Sequence, residues 1–214
     1  MKDQHISAKG SKRDDILDVA ERAILEKGVS ATTIEELITE VGISKNGFFY
    51  HFQDKNQMIE AILDRNQTVD KEWFAGLFAQ AGAAGADPLV QFLAFLDLLA
   101  EEMANLPDGH PGCLTTACCY QDRLLNAEVK EAAAGVLYQW RDIILDRLKR
   151  VAERHPPAPG VNLVELAEML PALIDGAIIY ARVVSDQTTI PRQVRLYKAL
   201  IENTFGDHSS GQTA

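Results

Sequence analysis

The stretch Thr33-Ile-Glu-Glu-Leu-Ile-Thr-Glu-Val-Gly42-Ile-Ser-Lys45-Asn-Gly-Phe-Phe-Tyr50-His-Phe-Gln-Asp-Lys55 decides the fold. Thr33 and Glu36 have the spacing of a capping box, in which the hydroxyl covers a free N–H and the carboxylate reaches back. Ile34, Leu37, Ile38 and Val41 then recur at helical spacing, the stripe of a short amphipathic helix. Gly42 follows where the chain must reverse, and a left-handed turn residue is least strained without a Cβ. Ser44 is a ready N-cap for another helix, expected to run to about His51. Asp54 and Gln57 cap the next, expected from Lys55 to about Ala81. Two short helices about a glycine turn have the form of a helix-turn-helix, whose second helix offers its N-terminal end to the major groove of DNA. Lys45, Asn46 and Gly47 project from that end, and Lys and Asn can hydrogen-bond base edges. Gly47 lets the helix approach DNA closely, at a cost in helix propensity.

Working outward, residues 12–27 carry Ile16, Ala20, Ala23 and Ile24 on one face, widened by Leu17 and Leu25, and Gly28 stands where a C-cap glycine belongs. That makes three helices at the N-terminus. Further helices are expected from Pro88 to Asn105, from Cys113 to just before Asn126, and from Ala127 to His155. Two more follow, Leu163 to Asp186 with a kink at Pro171, and a last one from Pro191 to near Phe205. Residues 82–88, 106–112 and 156–160 are rich in Gly, Pro or Ala and read as breaks. No alternating run is long enough for a strand. The expected class is all-α with about nine helices. A three-helix DNA-binding domain would take residues 1–56, a C-terminal helical ligand-binding and dimerisation domain residues 57–205, and a disordered tail residues 206–214.

The chain has 214 residues and a hydrophobic fraction of 47%, enough for one sizeable core or a small module joined to a larger one. Its net charge of −10 argues at first against nucleic acid. Up to Lys55, however, eight basic side chains stand against ten acidic ones, an excess of only −2; the other −8 lies beyond. DNA binding depends on the field of one face and not on the sum. Asp14, Asp15, Asp18 and Glu21 are therefore expected to point away from the phosphates. No apolar stretch reads as a signal peptide or a membrane span. Three cysteines, two of them adjacent, do not make a disulfide framework, and a cytoplasmic setting follows.

The quoted stretch closely resembles the N-terminal motif of TetR-family regulators, over residues 12–60. In that family a Thr opens helix two, a Gly-[Val/Ile]-Ser-Lys step opens helix three, and a His-Phe pair precedes a Lys at the start of helix four. The resemblance implies roles. Thr33 would meet a phosphate, Ser44 and Lys45 a phosphate or base, His51 would pack beside the backbone, and Lys55 would clamp a phosphate. Two positions depart from the pattern: Gly47 replaces a usual Thr or Ser, and Phe49 a usual Tyr. Phe49 offers no hydroxyl; Tyr50 can supply one, about 100° away around the helix. Ile34, Leu37, Phe48 and Phe52 read as core.

The rest of the chain offers three further sites. Phe74, Phe78, Phe92, Phe95, Tyr120, Tyr138 and Trp140 are either ordinary core or the lining of an effector pocket for an apolar or aromatic molecule. Ala172, Gly176, Ala177, Ile178, Ala181, Leu196 and Leu200 either complete the monomer core or form a homodimer interface. The resemblance favours the dimer, made through the last two helices. Cys113 opens the sixth helix, where free N–H groups would lower a thiol pKa and suit it to sensing oxidants or electrophiles; packing is the other reading. No catalytic constellation, metal set or cofactor-binding motif is evident. The function expected is a dimeric repressor that binds a palindromic double-stranded operator and is released by a small molecule. The alternatives are a redox or electrophile sensor acting through Cys113, and an all-α carrier or enzyme with a vestigial DNA motif.

Overall fold

The computed structural model describes residues 11–107 and 109–206. Nine α-helices lie among them: α1 (Lys12–Lys27), α2 (Ile34–Val41), α3 (Lys45–His51), α4 (Lys55–Ala81), α5 (Pro88–Ala104), α6 (Leu114–Cys119), α7 (Ala127–Arg154), α8 (Leu163–Val184) and α9 (Thr189–Phe205). Short 3-10 turns occupy Gly82–Ala84 and Asp122–Leu124. No strand occurs among the described residues, and no helix there is long and apolar enough to cross a membrane. The expected tail lies outside the described residues, apart from Gly206.

Local chemistry explains most of the boundaries. Ser11 and Asp14 close a full capping box at the start of α1. The box expected at Thr33 forms only in half: its hydroxyl accepts from the Glu36 N–H, while the Glu36 carboxylate turns to Lys27. Asp87 covers the Leu89 and Val90 N–H groups ahead of Pro88, and Asn162 covers Val164. α8 runs through Pro171 and ends at Ser185, which takes the left-handed conformation (φ 56°). The sixth helix is the main departure in length. It begins after Cys113 and lasts six residues before giving way to the 3-10 turn.

The chain divides into two compact units. The first comprises the chain up to Arg65 together with Leu114–Ala133; the second comprises Asn66–Cys113 and the chain from Ala134 onward. The first unit therefore reaches past residue 56 and recruits a distant segment. In it α1 packs on α2 and buries Ile16, Leu17, Ala20, Ala23 and Ile24, and Leu37, Phe48, Phe52, Met58 and Ile62 are buried as well. α6 packs on α1. Gln121 accepts from the Ser30 N–H at 2.6 Å, and the Asn126 N–H reaches Asn56 at 3.4 Å. In the second unit α9 packs on both α5 and α8. Tyr197, buried between them, donates to the Leu166 carbonyl at 2.8 Å. Lys198 pairs with Asp97 on α5 at 2.7 Å.

Helical periodicity sorts the residues expected at an interface on α8 and α9. Ala177, Ile178 and Ala181 are buried in their own unit's core, and this corrects their assignment to a partner-facing surface. Ala172, Gly176, Leu196 and Leu200 are exposed. Ile179, Tyr180 and Val183, which sequence reasoning passed over, join them on the outer face.

Candidate nucleic-acid interface

Gly42 ends α2 with φ 70° and ψ 44°. Its N–H and that of Ile43 both return to the Ile38 carbonyl, the pairing of a glycine-terminated helix. A Cβ on Gly42 would meet nothing within 4 Å, so the backbone angle, and not crowding, calls for glycine. Ser44 then caps α3, its Oγ accepting from the Gly47 N–H at 3.1 Å. Phe48 and Phe52 are buried and pin α3 to the core with ring centroids 5.7 Å apart.

What remains outward is polar or aromatic. Thr33, Ser44, Lys45 and Asn46 are exposed, Phe49 is 44% exposed and Tyr50 85%. The Thr33 and Ser44 oxygens already accept backbone N–H bonds, but each hydroxyl retains its proton to donate. His51 is half-buried with its ring edge-on to Tyr50 at 5.0 Å. A Cβ on Gly47 would touch only Ile43 and Ser44, at an ordinary 3.5 Å. The domain's own packing thus does not require glycine there.

The charges are arranged tightly. Lys45 reaches Glu35 at 3.3 Å in an exposed pair. A hydrogen bond from Glu35's own backbone and then Lys45 hold that carboxyl below its usual range. Asp18 and Glu21 are both turned onto Arg65, at 2.6 and 2.7 Å. Arg22 pairs with Glu40. Arg65 thus meets two carboxylates of α1, and Lys12 meets a third, Asp15, at 3.1 Å.

Lys55 has a role that the sequence did not suggest. Its half-buried ammonium donates to the Val29 and Thr32 carbonyls, tying down the loop between α1 and α2. Burial pushes its pKa down. With two of its three N–H donors on the loop, one is left for a phosphate.

Phe74, Phe92 and Phe95 are buried, and Phe78 and Trp140 half-buried around them. These five rings pack on one another, with Phe78 stacked on Phe95 at 4.0 Å and Trp140 edge-on to Phe74 at 4.7 Å. Tyr138 stands outside this cluster, 56% exposed beneath the Arg141 guanidinium. Tyr120 belongs to the other unit and is 75% exposed. Cys113 is half-buried against the second unit's core, Cys118 is buried, Cys119 is exposed, and none of the three is in a disulfide. Among the described residues no group of three or more His, Cys, Asp or Glu is placed to hold a metal.

Comparison with known proteins gives this geometry a context. Residues 16–62 match the family described as bacterial regulatory proteins, tetR family. The HTH-type transcriptional repressor Rv1474c of Mycobacterium tuberculosis is 26% identical over 183 residues, covering 78% of this chain and 94% of the repressor. The HTH-type transcriptional regulator LmrA of Bacillus subtilis is 25% identical over 185 residues, covering 85% and 92%. A TetR transcriptional regulator from Chloroflexus aurantiacus superposes with a TM-score of 0.73 at 23% identity, over 90% of this chain and 95% of that one.

Proposed function

We propose that the chain, whose residues 16–62 match the tetR family of bacterial regulatory proteins, is a helix-turn-helix transcriptional regulator of that family and acts as a cytoplasmic homodimeric repressor. It binds a two-fold symmetric operator and is released by a small molecule. The observation that carries this reading is the α2–Gly42–α3 turn, which leaves Lys45, Asn46 and Tyr50 exposed on one short helix. One such helix makes too few contacts to select a genomic site, and a dimer with paired half-sites supplies the rest. The exposed apolar side chains Met169, Ile179, Tyr180, Val183, Leu196 and Leu200 on α8 and α9 support a partner there. Thr33, Ser44 and the N-terminal turns of α2 and α3 suit phosphate, and Lys45 and Asn46 suit base edges. An effector acts by favouring a conformer that fits the operator poorly.

An electrophoretic shift with the DNA upstream of the coding region tests this. A saturable shift is expected, with affinity falling steeply as salt rises. Absence of any shift at low salt would contradict it.

A further inference from the structure

A groove of about 410 Å³ runs between the second half of α4 and α7, lined by Lys71, Gln139, Asp142, Ile143, Asp146 and Arg147. Its size falls within that of small-molecule sites. Four of the six side chains carry charge, but they are not equally committed. Asp142 is paired with Arg141 at 2.8 Å, and Asp146 with Arg150 at 2.9 Å; neither arginine lines the groove. Arg147 and Lys71 have no ion pair among the described residues.

Arg147 is the less ordinary of the two. It is half-buried, and its guanidinium lies 4.2 Å from the centre of the Phe78 ring, which itself stacks on Phe95. That sets the guanidinium against the ring and leaves its N–H fork to be satisfied. Burial, and then the neighbouring Arg150, depress its pKa, while Asp146 offsets this in part. A guanidinium held this way gains from an anion supplied from outside. Gln139 gives one amide N–H to the Gln67 carbonyl at 2.7 Å and has a second to offer. Ile143, packed against the core, provides the apolar wall.

We infer that this groove binds a small organic monocarboxylate, its carboxylate on Arg147 and Lys71 and its apolar body along Ile143. A single negative charge fits better than two, because Asp142 and Asp146 stand at the same rim in a chain of net charge −10. The inference rests on the ligand-responsive reading above for its regulatory meaning, though not for binding itself. Lys71 sits on α4, whose first turns bury Met58, Ile59 and Ile62 in the DNA-binding unit. A ligand joining Lys71 to Arg147 therefore favours one placement of α4 relative to α7.

The test is calorimetric titration of the full chain with benzoate, phenylacetate, hexanoate and decanoate, each beside its neutral amide. At least one carboxylate is expected to bind tenfold or more tightly than its amide. Arg147→Gln should abolish that preference, Arg147→Lys keep part of it, and Lys71→Gln weaken it severalfold. Four carboxylates binding no better than their amides would overturn the site, as would a preference untouched by Arg147→Gln. Should Arg147→Gln not fold, the exposed Lys71→Gln carries the test, and an unchanged preference there overturns it. The promoter shift is measured in parallel without ligand. Carboxylate preference without DNA binding refutes the regulator and leaves the site; DNA binding without the preference refutes the site alone.

Discussion

At the scale of single residues, Lys45 is the side chain on which the proposed recognition rests, and it leans on Glu35. The pair is exposed and screened, so phosphate or a base edge can replace the carboxylate. Glu35→Gln removes this competitor and one negative charge from the proposed DNA-facing surface. Operator affinity should rise by roughly two- to tenfold at low salt, with the gain shrinking as salt increases; filter binding across a salt series measures it. Gly47 poses a separate question, since its Cβ would be tolerated by the domain. Gly47→Ala should stabilise α3 by up to about 1 kcal/mol in denaturant unfolding. It should weaken DNA binding if close approach is why glycine is there. A variant with both stability and affinity raised would show that Gly47 serves no approach to DNA.

At the scale of elements, Tyr197 ties α9 to α8 through the Leu166 carbonyl. Burial raises its phenol pKa above the usual 10.0, so the folded state holds the proton more tightly than the unfolded chain. Its contribution is therefore fully present below pH 10 and is lost as pH rises beyond that. Tyr197→Phe should cost about 1 kcal/mol near neutrality and less above pH 10, as unfolding midpoints over that range would report. The elements themselves were largely legible. Ser44, Asp54, Gly42 and the apolar stripes set local boundaries through capping and backbone angle, and these act within a few residues of sequence. What was not legible depends on distant partners. Glu36 answers Lys27 and not its own helix end; Lys55 serves loop carbonyls; Gln121 reaches Ser30. The aromatic residues of the middle helices pack on one another, and no spacing in the sequence told a filled core from a lined pocket. On α8 periodicity defined two faces, but only packing told which was inward.

At the scale of the whole molecule, the proposal requires two copies of the chain. Val183 is 80% exposed on the outer face of α8, so Val183→Glu should leave the fold intact. It should place a charge in the proposed interface and shift sedimentation from dimer to monomer. A variant that sediments as the wild type does would contradict an interface at that face. On this reading α3 recognises DNA sequence through its N-terminal end. Selection of bound fragments from a random genomic library, with wild type and Lys45→Ala side by side, tests it most directly. The wild type is predicted to enrich a two-fold symmetric site, and Lys45→Ala to lose preference at one or two positions in each half. Enrichment of the same site with the same selectivity by both proteins would contradict it.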